Sequence, residues 1–317
     1  MTETPALTFC LPTLFPDLGR STDEHLLAAV QAAADAGFEG LDLFASSFVQ
    51  AVESVVAGGE RVPLVPRADR RSAIADFRAA ALRWPQALAR TEAQQLRDEI
   101  RRRGLHVEAV ECMSLWPAGA DAAEADARAI CEVAQFLGAR YVVAVCLSPE
   151  MEPAGGAQGL RRAADVAAEH GLEVCLEWLP GTAVPSLAEG WQLIQRSAAT
   201  NVGFTLDALH WQCQPGGPDW ATLGSLPADS IRFLQLSDCR LPLADGVIEP
   251  SRRLLPGEGD IDLTRLLGEL RRHGMVPVPS VEVFDEESLM QRGMQVFAGQ
   301  QAETLRGLLG AAANTAP

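Results

Sequence analysis

The chain has 317 residues, 48% of them hydrophobic, with 42 acidic against 26 basic side chains and a formal net charge of −16. That is ample apolar area for one large core. A surface of this sign repels phosphate backbones and anionic membranes, so neither nucleic acid nor membrane is an expected partner. Every basic residue is arginine, which excludes lysine Schiff-base chemistry, a pyridoxal-phosphate lysine and a lysine-bearing phosphate loop.

The seven cysteines are odd in number and form no CxxC pair, and Cys10, Cys146 and Cys175 lie in apolar runs. This usage predicts reduced thiols and a cytoplasmic protein. The opening MTETPALTF has no basic segment before an apolar one, so no secretory leader is expected. No run approaches the ~18 apolar residues of a membrane span.

Taken in order, residues 7–11 predict a first strand. Ser21 and Glu24 have capping-box spacing before a helix over 26–36, stopped by Gly37, and 38–44 predicts a second strand. Residues 45–71 read as a long connection, a candidate mobile loop over a site. A helical stretch over 74–103, interrupted at Pro85, ends on Arg101–Arg103, a favourable helix C-terminus. Strands over 105–110, 140–146, 172–177, 202–207, 231–236 and 277–283 then alternate with helices over 121–137, 157–170, 186–197, 263–273 and 286–309. A short helix is expected near 219–224, a second long loop over 237–260 and a frayed tail over the final AAANTAP. Eight strands alternating with helices predict one (β/α)8 barrel spanning 1–317. A doubly wound sheet would usually carry a glycine-rich phosphate turn early, and the turn after the first strand is PTLFPD.

Four of the predicted strands end on polar groups: Glu177, Asp207, Gln235 and Glu282. Strand residues alternate between the helix layer and the barrel interior. If Val174, Leu176, Leu206, Leu234, Leu236, Val281 and Val283 face the helices, all four polar groups face inward, near the C-terminal ends of strands five to eight. Barrel active sites sit at that end. Three carboxylates gathered there repel one another, and a divalent cation relieves the repulsion.

The motifs LEW (176–178), DALH (207–210), LQLSD (234–238), LPGEGD (255–260) and VEVF (281–284) occur in an order that resembles the sugar phosphate isomerase/epimerase family of xylose isomerase-like TIM barrels. The resemblance covers nearly the whole chain. It implies that Glu177, Asp207, Gln235 and Glu282 bind one divalent metal and that Glu177 and Glu282 are the acid/base pair. It also implies that His210 and Arg253 contact substrate. Most members carry histidine where this chain has Gln235, and glutamine is expected in branches resembling dehydroshikimate dehydratases.

An all-oxygen ligand set predicts Mn²⁺ or Mg²⁺, with Co²⁺ possible. The expected activity is isomerisation or epimerisation of a polyhydroxylated keto compound by proton transfer next to a carbonyl, with Glu177, Glu282 and His210 catalytic. Dehydration of the dehydroshikimate or inosose type is the alternative. An endonuclease IV-like nuclease has less support, because it needs several histidines and the chain has five, four of them poorly placed. A non-catalytic sugar-binding barrel is opposed by the presence of both glutamates. Trp178 and Trp211 follow ligand positions, so they are candidate pocket walls or plain core residues. Asp42 ends the second strand facing inward, toward substrate or an arginine. The expected partner is a small molecule, with homo-oligomerisation open.

Overall fold

The computed structural model describes residues 6–14, 23–56, 91–114, 120–146, 153–243 and 252–314. Eight strands form a closed, all-parallel barrel in chain order: β1 Thr8–Cys10, β2 Gly40–Phe44, β3 His106–Ser114, β4 Tyr141–Val145, β5 Glu173–Glu177, β6 Val202–Asp207, β7 Ile231–Leu236 and β8 Val278–Val281. β1 pairs with both β2 and β8, so no edge remains. The helices are α1 Asp23–Asp35, α2 Ala45–Val56, α3 Thr91–Arg102, α4 Ala120–Leu137, α5 Pro153–Glu169, α6 Leu187–Ser197, α7 Ala208–Cys213, α8 Trp220–Ser225, α9 Leu263–Arg272, α10 Glu286–Arg292 and α11 Met294–Asn314. No helix among the described residues is long and apolar enough to cross a membrane.

Local chemistry explains the rhythm. Gly37, Gly104, Gly138, Gly171 and Gly274 each follow a helix at φ between 72° and 79°, where a Cβ is strained. The chain there reverses from helix to incoming strand. Ser186 caps α6: the Glu189 N–H donates to its hydroxyl oxygen while the hydroxyl donates to the Glu189 carboxylate.

The strand parity read from the sequence holds. Val142, Ala144, Val174, Leu176, Leu234 and Leu236 belong to the large apolar layer between barrel and helices. Their neighbours Tyr141, Val143, Val145, Cys175 and Phe233 form a separate cluster with Ala109, the plug of the barrel interior. The polar strand ends sit above this plug.

Several local expectations are corrected. Residues 45–56 are helix α2, not loop, because Phe48, Val49, Ala51 and Val52 make one buried face at helical spacing. Residues 57–71, the segment 74–90 and position Ser21 lie outside the described residues. The final helical stretch is two helices broken at Gly293; 311–314 belong to α11, and the rest of the tail, 315–317, lies outside the described residues. β3 runs to Ser114, four residues beyond the sequence expectation, which brings Glu111 into the barrel wall.

The 237–260 segment has a fixed anchor, although 244–251 lie outside the described residues. The Asp238 carboxylate accepts the backbone N–H groups of Cys239 (2.9 Å), Ile261 (2.9 Å) and Gly257 (3.1 Å). Its backbone pairs with Leu254 in both directions, at 2.9 and 2.8 Å. A Cβ on Gly259 would overlap both the Asp238 carboxylate and the Cys239 carbonyl. The LQLSD and LPGEGD motifs are thus two halves of one turn, and Glu258 is an exposed part of it. Because each such hydrogen bond contributes at least about 1 kcal/mol net, loss of the three in Asp238→Ala is expected to destabilise the fold by about 3 kcal/mol. Urea unfolding measures this; a midpoint equal to wild type would refute the anchoring role.

Candidate metal and proton-transfer site

The four predicted strand-end residues are gathered at one place. Glu177, Asp207, Gln235 and Glu282 are all buried, and Asp207 and Gln235 are register partners on β6 and β7. Asp207 is both the last residue of β6 and the cap of α7, its Oδ1 accepting the His210 N–H at 2.7 Å. That single turn of helix was not anticipated, and it is what carries His210 back over the barrel mouth. The His210 Nδ1 lies 2.9 Å from Glu177 Oε1, an ion-pair contact without the alignment of a hydrogen bond, and 3.7 Å from Asp207 Oδ1.

Arg253 completes the other half. Its guanidinium is buried and donates to Asp207 Oδ2 at 2.7 Å, with Glu282 Oε2 at 3.1 Å. The five residues form a continuous line, Glu177–His210–Asp207–Arg253–Glu282, in which acid and base alternate. Leu254 is pinned to Asp238, so the turn beside Gln235 fixes the position of Arg253.

Three further residues belong to the cluster. Glu111 Oε1 accepts from Gln235 Nε2 at 2.8 Å, and the same nitrogen lies 3.3 Å from Glu282 Oε1. Cys10 Sγ is 3.6 Å from that Glu282 oxygen. Asp42 Oδ2 accepts a hydrogen bond from the Ser280 hydroxyl at 2.5 Å, a partner other than the arginine expected. Glu111 escaped the sequence reading because the predicted third strand stopped at 110. The signal was present: Glu111 shares parity with Ala109, an interior residue.

The electrostatics follow from crowding. Burial pushes Asp207 up, but Arg253 and His210 outweigh it and hold the carboxyl well below the usual range. Burial opposes charge on His210, yet Asp207 and Glu177 raise its pKa. Glu111 is raised well above the carboxylate range by burial and then by Asp42 and Glu282. Glu282 is raised by burial, despite Arg253, with Asp207 and Glu177 adding to the rise. Burial brings Asp42 up to about 7, although the Ser280 hydrogen bond opposes it. Five buried acids thus face one arginine and one histidine, a deficit of positive charge.

The residues fit a divalent cation. Gln235 Oε1 is buried with no hydrogen-bond partner among the described residues, an acceptor open to a ligand. Two groups of candidate ligand atoms lie near it, Glu177, Asp207 and His210 within 4.8 Å of one another, and Cys10, Glu111 and Glu282 likewise.

Trp178 and Trp211 are fully buried in the apolar layer instead. Trp178 packs edge-on against Phe204 at 5.6 Å and Trp211 against Trp220 at 5.1 Å. These are packing contacts within the apolar layer. His106 and His170 bond to Glu108 and Gln135, away from the acids. A groove of about 760 Å³ lined by Arg161, Arg162 and Arg196 lies between α5 and α6 in the helix layer, apart from the acids.

A family described as xylose isomerase-like TIM barrel matches residues 30–300. The chain belongs to that family. It is 36% identical over 138 residues to a 3-dehydroshikimate dehydratase of Pseudomonas aeruginosa, a match covering 43% of this chain and 21% of that protein. It is 28% identical over 165 residues to the inosose isomerase of Bacillus subtilis, covering 49% of this chain and 58% of the relative. The match thus spans less than two thirds of either relative. Among solved structures, the IolI protein with a bound zinc atom superposes with a TM-score of 0.72 at 18% identity, covering 96% of this chain and 98% of that one. An L-ribulose 3-epimerase gives 0.67 at 15%, covering 98% and 96%. At these identities the superpositions establish the fold.

Proposed function

We propose that this protein is a divalent-metal-dependent enzyme that moves a proton next to the carbonyl of a polyhydroxylated keto compound, giving an isomer or epimer. The observation that carries the reading is the line of alternating acid and base that runs from Glu177 through His210, Asp207 and Arg253 to Glu282. Glu177, Asp207, Gln235 and Glu282 would hold the cation, whose oxygen donors suit Mn²⁺ or Mg²⁺. When bound, such an ion polarises a carbonyl and acidifies the neighbouring C–H.

The chain's own groups handle the proton. Glu177 and Glu282 come from strands five and eight, so a substrate between them meets a carboxylate on each side, as two-base epimerisation requires. His210, held against Glu177, can pass that proton on or give it to a leaving oxygen. Arg253 keeps Asp207 ionised and steadies Glu282. Burial excludes water from these transfers. The relatives' substrates, an inosose and 3-dehydroshikimate, are both cyclic hydroxy ketones, which supports that substrate class.

A second reading, loss of a β-hydroxyl, is favoured by a specific asymmetry. Glu282 is engaged by Arg253, Gln235 and Cys10, whereas Glu177 is engaged by His210 alone among these groups. One carboxylate is tethered and the other is coupled to a candidate general acid, the arrangement an elimination uses.

Protein purified without chelator is expected to carry about one divalent ion per chain. Incubation with inososes and with 3-dehydroshikimate in D₂O separates the two outcomes. Deuterium at the α-carbon of an isomeric product supports the first; a product lighter by one water supports the second. A metal-free preparation with full activity would overturn both.

A further inference from the structure

A glutamine can ligate a cation only through its carbonyl oxygen, so its amide must be held the right way round. In this barrel the Gln235 NH₂ group faces two carboxylates, Glu111 Oε1 at 2.8 Å and Glu282 Oε1 at 3.3 Å. Its Oε1 is buried and has no hydrogen-bond partner among the described residues. Turning the amide over would set its oxygen against those carboxylates and strand the NH₂ hydrogens. Glu282 already serves Arg253 and Cys10. Glu111, across the barrel on β3 and 4% exposed, is the closer acceptor and has no arginine partner among the described residues.

We propose that Glu111 is a positioning residue: it holds the Gln235 amide so that Oε1, and not Nε2, is presented to the divalent cation. The inference rests on the metal reading of the site above. It explains how glutamine substitutes for the histidine usual at this place in the family. A histidine ring offers one lone pair by choice of tautomer, whereas an amide must be turned. Glu111 makes an ambiguous side chain into a defined oxygen ligand, completing an all-oxygen set suited to hard cations.

Mn²⁺ binding to chelator-stripped protein, measured by calorimetry without substrate, tests this. Glu111→Leu is expected to weaken Mn²⁺ binding roughly 10–100-fold, the range for outer-shell partners. Glu111→Gln, whose own carbonyl can accept the Gln235 hydrogens, is expected to keep most of the affinity. In a Gln235→Leu background, Glu111→Leu should cause no further loss, because its effect passes through Gln235. If Glu111→Leu does not fold, Glu111→Asp, with the same charge and one methylene less reach, tests the same bond and should also weaken binding.

Wild-type affinity in Glu111→Leu or Glu111→Asp would overturn the positioning role while leaving the metal site intact. An equal loss in the Gln235→Leu background would overturn it too, making Glu111 an independent ligand. A wild-type protein that binds no Mn²⁺ or Mg²⁺ would overturn the metal reading and this inference together.

Discussion

Glu177→Gln and Glu282→Gln are each expected to lower turnover on the true substrate roughly 10²–10⁴-fold, the range for a positioned general acid or base. The amide keeps the size and one oxygen of the carboxylate but cannot take a proton. Both residues are buried at the mouth of the barrel, and neither side chain is part of the apolar layer that holds the fold. Both variants should therefore stay folded, with the lower melting temperature in Glu282→Gln, which loses its buried ion pair with Arg253. The pair also separates the two readings. In a two-base isomerase, either variant abolishes exchange of the α-hydrogen with one face of the product. In a dehydratase, Glu282→Gln retains more activity than Glu177→Gln, because only Glu177 is coupled to His210 at 2.9 Å. If both variants turn over at the wild-type rate, the proton-transfer assignment is wrong in either form.

Arg253→Leu is expected to produce the largest loss of stability, about 3–5 kcal/mol, as found when one partner of a buried ion pair is removed. Arg253 is the only arginine bonded to Asp207 and Glu282 among the described residues, and its removal leaves Glu282 without a cationic partner and Asp207 with His210 alone. A saturating divalent cation should recover part of this loss, since a ligand at 100 times its Kd adds about 2.7 kcal/mol.

The pH dependence carries two opposite contributions. Asp207 is depressed in the folded state, so its pairing stabilises above the ordinary carboxylate range and is lost as pH falls through the folded value. Glu111 and Glu282 are raised, so in cation-free protein they favour the fold while protonated and that contribution is lost as pH rises. Chelated wild-type protein is therefore expected to be less stable at neutral pH than at mildly acid pH. Added Mn²⁺ should flatten the neutral side. Denaturant titrations across this range, with and without the ion, measure it; identical profiles would show that no cation neutralises these acids.

Much of this protein was legible in its amino-acid order. Period-two alternation depends only on which neighbours are apolar, so Val174–Leu176 and Leu234–Leu236 fixed the inward parity of Glu177 and Gln235 before any coordinates. Helix stops at Gly37, Gly138, Gly171 and Gly274 were equally local, because a left-handed residue after a helix needs no distant partner. The alternation of eight such strands with helices leaves little but a barrel, and barrel chemistry collects at the C-terminal strand ends.

Other features depended on contacts that no local pattern encodes. Residues 45–56 became helix because a buried face was available to them. Trp178 and Trp211 adjoin polar site residues in sequence but turn outward onto Phe204 and Trp220. Asp42 met Ser280, 238 positions away, rather than an arginine. Glu111 bonds to Gln235 across 124 positions, and Arg253 reaches Asp207 across 46. Sequence alone put Glu177, Asp207 and Glu282 on the inner face of a barrel and missed Glu111. Only the closed tertiary structure decided which acid holds a cationic partner and which holds an amide, because electrostatic energy depends on distances of a few ångströms between strands far apart in the chain.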